Sequence, residues 1–255
     1  MAKKILSVES ISLSYGQGKQ EVRILDDISF SVNEYEFFSI VGPSGCGKST
    51  LIRIIAGLQS PTSGKIVYKG REIASPTGDI SMIFQNFALF PWKTALENVM
   101  LALESKGMSS EEMVKRGMAA LKEVDLNGFE SAYPAELSGG MKQRVGVARA
   151  IVSDPDLLLM DEPFSSLDDL TAEQLRWEVH KLVKDKKMPV KAVVMVSHNV
   201  EEIVELSDRI IVLSRPPSRI IDSMDVKLPY PRSRGRRDFL NVTARIYKDL
   251  YAGEK

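Results

Sequence analysis

The sequence holds a single cysteine, Cys46, among 255 residues. One cysteine excludes an intramolecular disulfide and fits a reducing compartment. Net charge is absent too, since 34 Lys and Arg balance 34 Asp and Glu. A nucleic-acid-binding chain usually needs a basic face, so no nucleic acid is expected as a partner. No apolar run approaches the roughly 20 residues that cross a bilayer. Met1–Lys4 is not followed by the apolar core of a signal peptide. A cytoplasmic location is expected, with any membrane role exercised through a partner. Internal repeats and low-complexity tracts are missing as well. What remains is an ordinary globular composition, 44% hydrophobic and 27% charged, with ample material for a packed core. The length fits one large domain or two small ones.

Two kinds of strand pattern are present. Ile5–Tyr15 and Ile28–Val32 alternate apolar with polar residues, and Lys65–Tyr68 is a short strand flanked by Gly64 and Gly70. Together they predict a small antiparallel sheet near the N-terminus. Phe37–Val41 (with Ser39 its one polar residue), Leu157–Met160, Ala192–Val196 and Ile210–Leu213 are instead apolar runs without alternation, as strands buried on both faces of a parallel sheet are. Helical stretches separate several of them, so the fold class is α/β. Between Thr94 and Asp154 no strand pattern occurs. Ala95–Leu103, Ser109–Leu126 and Met141–Val152 have helical spacing, and Ser109 with Glu112 fits a capping box. This block, residues 94–154, reads as a helical subdomain inserted in the α/β core. After Arg215-Pro216-Pro217 the chain reads as an extended arm, ending in a short amphipathic helix over Asp238–Tyr251. The arm's arginines, Arg232, Arg234, Arg236 and Arg237, read as a solvated surface, with anionic lipid headgroups as the alternative. The division is therefore residues 1–235 and a C-terminal arm with helix, 236–255.

Gly42-Pro43-Ser44-Gly45-Cys46-Gly47-Lys48-Ser49-Thr50 matches G-x-x-x-x-G-K-[ST], directly after the Phe37–Val41 strand and before a helix predicted over Ser49–Leu58. Glycines let the backbone curl so that N–H groups point at phosphate oxygens, and the helix N-terminus adds its dipole. Lys48 is expected to bridge the β- and γ-phosphates, the Ser49 hydroxyl to ligate Mg²⁺, and Thr50 to add a hydrogen bond. Asp161 and Glu162 end the Leu157–Met160 strand. In a parallel sheet such ends gather at the ligand crevice, where Asp161 would hold Mg²⁺ and Glu162 would orient or deprotonate the attacking water. Gln85, after Ile80–Phe84, and His198, after Ala192–Ser197, end predicted strands in the same way. Ser138, Gly139 and Gly140 precede a helix, as a second phosphate site or as an ordinary capped turn.

Taken in order, these motifs resemble the ABC ATPase family over nearly the whole chain. Gly42–Thr50 resembles its Walker A motif, Gln85 the Q-loop glutamine, Leu137–Gly140 the signature, and Leu157–Glu162 Walker B with the catalytic glutamate. Ser165-Ser166-Leu167-Asp168 resembles the D-loop and His198 the H-loop histidine. Tyr15 sits where the family places an aromatic against adenine. Met141 and Ser166 depart from the commonest pattern, at the edges of their motifs. The resemblance implies a P-loop ATPase core with an inserted helical subdomain, and ATP with Mg²⁺ as cofactors. It gives Lys48, Gln85, Glu162 and His198 catalytic roles. Tyr15, Gly42, Ser44, Gly45, Cys46, Gly47, Lys48, Ser49 and Thr50 would contact nucleotide, and Ser49, Gln85 and Asp161 the metal. Ser138, Gly139 and Gly140 would contact the nucleotide of a second ATPase subunit, in trans.

A separate single cassette resembles an importer subunit, peripheral on the inner face of the cell membrane beneath permease subunits, and indirectly served by a solute-binding protein. Phe87–Trp92 would line the groove that receives the permease. Phe90-Pro91-Trp92, Met141 and Leu213–Pro216 resemble the nitrate, sulfonate and taurine importer branch, with an aromatic or pyrimidine-like solute open within it. The alternative is a soluble ABC ATPase that uses ATP-driven dimerisation as a switch.

Overall fold

The computed structural model describes residues 3–16, 18–165, 167–184 and 188–252. In chain order the first strands are β1 (Lys4–Tyr15), β2 (Val22–Asn33) and β3 (Glu36–Val41), followed by α1 (Lys48–Ile55). Then come β4 (Ser63–Tyr68), β5 (Arg71–Ile73), β6 (Ile80–Ile83), α2 (Ala95–Met100), α3 (Ser110–Glu123) and α4 (Gly139–Ile151). The chain continues through β7 (Leu157–Asp161), α5 (Asp169–Lys184), β8 (Ala192–Ser197) and α6 (Val200–Leu206). It closes with β9 (Arg209–Leu213), β10 (Ile220–Asp225) and α7 (Arg237–Ala252). The chain divides into two compact units, residues 1–77 with 191–255, and residues 78–190.

The first unit carries two sheets. In one, the strands run in the order β2-β1-β4-β5, all antiparallel. Alternation along β1 is broken where the register shifts, around Ile11, and Ser10 there takes a φ of 50°. Such bulges tilt the strand and put consecutive side chains, Ile5 and Leu6 at its start, out of water. The other sheet has the order β10-β9-β3-β8, with β3 parallel to both β8 and β9 and β10 antiparallel to β9. Every residue of β3 and β8 is buried, as their mainly apolar sequences require. The polar residues within them are satisfied: Ser207 donates to Ser39 at 2.6 Å, and Glu36 accepts from Arg209 at 2.7 Å. Phe30 stacks on Phe38 with centroids 4.8 Å apart.

β10 belongs to the segment read from sequence as an extended arm. It is an edge strand of alternating half-exposed residues, so no apolar run announces it. The arginine cluster is not a uniform solvated surface either. Arg232 is 8% exposed, and its guanidinium donates to the carbonyl oxygens of Val204, Ser207, Val226 and Leu228. Arg234 pairs with Glu205, and Arg236 with Asp238.

The second unit holds the parallel pair β6–β7 and helices α2 to α5. Thr94 caps α2 with a full capping box, its hydroxyl accepting from Glu97 N while the Glu97 carboxylate accepts from Thr94 N. Expectation placed that box at Ser109, where only half of it forms. Ser109 accepts from Glu112 N, but the Glu112 carboxylate turns one helical turn on and accepts from Arg116 at 3.1 Å.

Candidate active site

The site residues of the first unit are gathered by strand register. Val41 at the end of β3 is opposite Ser197 of β8 and Val212 of β9. The next residues along are Gly42 and His198, so the glycine-rich loop and the histidine leave adjacent strands at the same edge. The loop curls through Gly45 and Gly47 at φ of 76° and 95°, and Gly47 stands at the N-cap of α1 with no side-chain cap. A Cβ on Gly47 would come within 2.9 Å of both Ile24 and Leu25 on β2. Only glycine fits this backbone and this close approach. Tyr15 is linked to the loop through the same strand, since β1 and β2 pair Leu13 with Leu25 and Tyr15 with Val22. Its ring is half-exposed, and its hydroxyl accepts from Gln59 at 2.7 Å.

Lys48 is 6% exposed, and its ammonium donates to the carbonyl oxygens of Gly42 at 2.7 Å and Pro43 at 3.0 Å. These neutral acceptors hold a positive charge over the concave side of the loop, at an uncapped helix N-terminus. Cys46 packs beneath: burial pushes its thiol up, while the nearby Lys48 charge pulls the other way. Ser44 and Gly45 are exposed, and Ser49 and Thr50 are half-buried on the first turn of α1. Sequence reasoning missed the brace on this loop. Ser218 donates to Cys46 O at 2.5 Å, and its backbone exchanges hydrogen bonds with Ile24 and Asp26. Cys46 and Ser218 lie 172 positions apart, and no local pattern marks such a contact.

His198 is exposed, between two residues that fix its backbone. Ser197 donates to the Glu202 carboxylate at 3.2 Å and accepts from Asn199 N at 3.0 Å. Asn199 caps α6 by accepting from Glu202 N.

In the second unit β6 and β7 run parallel, pairing Ile83 with Met160. Gln85 therefore leaves the sheet beside the acidic pair. Asp161 is 2% exposed at the end of β7, and Glu162 turns the chain with a φ of 49°. Ser165 stabilises that turn by donating to Glu162 O at 3.0 Å. Asp168 accepts from the amide and hydroxyl of Thr171 at 3.0 and 2.7 Å, and these bonds lower its pKa. Ser166 lies outside the described residues. Beyond Gln85 the backbone turns through Phe87 and Ala88, both at positive φ, and Arg149 of α4 donates to both of their carbonyl oxygens at 2.7 and 2.6 Å. That tie was not legible in the sequence.

Ser138 is the N-cap of α4, accepting from Met141 N at 3.2 Å. Ser138 and Gly139 are exposed, and Gly140 faces α5, where a Cβ would come within 2.7 Å of the Thr171 methyl. The structure thus puts Gly42 and His198 side by side in the first unit, which also carries Tyr15, and Gln85 beside Asp161 and Glu162 in the second, which also carries Ser138–Gly140 at the start of α4.

A strand, a glycine-rich loop and a helix that starts at a buried lysine define a P-loop nucleotide-binding α/β protein. Residues 25–165 match the family model for the ABC transporter, and the chain belongs to that family. It is 44% identical over 245 residues to an uncharacterized ABC transporter ATP-binding protein of Methanocaldococcus jannaschii, covering 96% of this chain and 91% of that one. It is 37% identical over 248 residues to an aliphatic sulfonates import ATP-binding protein of Bacillus cereus, covering 97% and 96%. A solved ATP-binding cassette, a dimer in a post-hydrolysis state bound to ADP and Pi, superposes with a TM-score of 0.79 at 33% identity, covering 88% of this chain and all of that one. The fold is the ABC ATPase fold, and the chain is an ATP-hydrolysing subunit of the importer type. No helix among the described residues is long and apolar enough to cross a membrane.

Proposed function

We propose that two copies of this chain close around ATP beneath permease subunits and drive import of a small sulfonate-type, taurine-type or nitrate-type solute. The observation that carries the reading is the buried Lys48 ammonium, held by loop carbonyl oxygens at the uncapped N-terminus of α1, one strand from His198. An anion at that point would meet a cation, a helix dipole and backbone N–H groups together. Gly42–Thr50 would cradle the phosphates, Lys48 would bridge the β- and γ-phosphates, and Tyr15 would stack on the base. Ser49, Gln85 and Asp161 suit Mg²⁺, offering the oxygen ligands that this ion prefers, and the metal would supply charge neutralisation on the phosphates. Glu162 would orient the attacking water and take its proton, while His198 would donate to the γ-phosphate. Ser138, Gly139 and Gly140 would act in trans, on nucleotide held by the other subunit. In this arrangement the chain sits peripherally on the inner membrane face.

The sulfonate relative supports the solute class, and no residue named here would touch the solute. The test is ATP hydrolysis and oligomeric state of the native chain and of Glu162→Gln with Mg²⁺ and ATP. Native protein should turn over ATP, and the variant should be inactive yet trapped as an ATP-bound dimer. A variant hydrolysing at the native rate removes Glu162 from the mechanism. A native chain that closes into dimers yet never hydrolyses ATP, even with its permease, points to the switch instead of the motor.

A further inference from the structure

The segment after β10 closes over the far end of α6, the helix that follows His198, and we propose that Tyr230 and Arg232 form a clasp that positions that histidine. The inference rests on the reading of His198 as a catalytic residue and adds how its place is held.

α6 has seven residues, Val200–Leu206. A helix this short has little stability of its own, and its last carbonyl oxygens have no partner within the helix. Here those oxygens are bound by side chains from about 25 residues downstream. Arg232 donates through Nη1 to Val204 O at 2.7 Å and Ser207 O at 2.5 Å, and the Tyr230 hydroxyl donates to Leu206 O at 2.7 Å. The same guanidinium reaches back to its own segment, through Nε to Leu228 O at 3.2 Å and Nη2 to Val226 O at 3.1 Å. It lies 4.1 Å from the Tyr230 ring centroid, a cation–π stack that fixes its plane. A buried cation at a helix C-terminus also complements the helix dipole. Outside this cluster, Arg234 pairs with Glu205 at 2.8 Å.

Just before the other end of α6 stands the histidine. Ser197 is buried in register with Val41, and Asn199 caps the helix through Glu202, so His198 is the exposed residue between two fixed points. Two turns of helix connect it rigidly to the clasp. With the carbonyl end released, α6 keeps its N-cap and its buried apolar face but loses the side-chain bonds that fix its C-terminal end, and the imidazole shifts with it. Small displacements of a positioned catalytic group lower turnover far more than nucleotide binding. Tyr230 and Arg232 are positioning residues, not catalytic ones.

The chain holds two histidines, His180 and His198, so full-length protein labelled with carbon-13 histidine gives two imidazole signals, assigned with His180→Gln. In Arg232→Ala the His198 signal should shift while the His180 signal stays. ATPase kcat should fall about tenfold with KM for ATP changed less than about twofold. Tyr230→Phe deletes one oxygen and keeps the ring, so it should fold and move the His198 signal by less. Arg232→Lys keeps the charge but cannot span four carbonyl oxygens, and should not restore the native signal. A folded Arg232→Ala or Tyr230→Phe whose His198 signal stays in place overturns the clasp, even if activity falls. The catalytic reading is tested separately: native turnover by His198→Ala would remove that role, whereas a shifted His198 signal in Arg232→Ala would still establish the clasp.

Discussion

Asp161 and Glu162 are adjacent acids with different backbones. Asp161 completes β7 and is buried, while Glu162 takes the left-handed conformation at φ 49°. A non-glycine residue there costs on the order of 1 kcal/mol, and such costs collect where a side chain must be aimed. Stability and activity should therefore oppose each other at this position. Glu162→Gly should be at least as stable as the native chain in urea unfolding. Glu162→Val, β-branched at positive φ, should lose about 1–2 kcal/mol. Both should lack ATPase activity. Equal stability for the two variants would show that the turn carries no strain. The places of Glu162, Lys48 and His198, beyond strand ends, were legible in the sequence because a proposed phosphate site needs particular side chains at particular distances from strand ends. Ser218 and Arg149 were not. Each acts on backbone oxygens of a segment far away in the chain, and many polar side chains could in principle do that work.

At the scale of elements, the apolar runs became buried parallel strands because a strand covered on both faces admits almost nothing else. Alternating and capped segments were harder to read. β10 pairs along one edge only and shows no strong pattern, and the capping-box pattern stands before both α2 and α3, at Thr94–Glu97 and Ser109–Glu112. Which one closes depends on whether another cation competes for the glutamate, and only at Glu112 does Arg116 take it. The loop before α2 was legible as an apolar stretch but not in its anchoring. Asn98, wholly buried, accepts from Phe90 N at 2.8 Å and donates to the carbonyl oxygens of Phe90, Lys93 and Thr94. It thereby holds the loop that presents the exposed Phe90 and Trp92, whose rings lie 5.2 Å apart. Asn98→Ala should cost about 2–3 kcal/mol, because buried backbone groups lose their partners. Thr94→Ala removes an exposed cap and should cost about 1 kcal/mol. Urea melts of both would check the ranking, and a larger loss for Thr94→Ala would show that capping, not the asparagine, organises the loop.

At the scale of the whole molecule, the question is where Ser138–Gly140 act. The residues cap α4 with Ser138 and Gly139 exposed, so this helix N-terminus is open to a partner. If they serve nucleotide held by the other subunit, defects in different motifs should complement. Consider Lys48→Ala, which disables its own loop, and Ser138→Arg, which blocks the cap. Each homodimer has no intact site. A mixed dimer has one site with both lesions and one with neither, built from the native loop of one subunit and the native cap of the other. Random pairing of equal amounts makes half the dimers mixed, each with one working site of two. For independent sites, recovered ATPase should approach about a quarter of native, starting from two inactive proteins. Coupling between the sites would lower that fraction. If Ser138 instead served the nucleotide of its own chain, every subunit in the mixture would carry a lesion at its own site. Mixing would then restore nothing. The measurement is the ATPase rate of the two variants alone and mixed, with exchange into mixed dimers verified by differential tagging. For independent sites, mixed dimers that form and remain inactive would place the cap in cis.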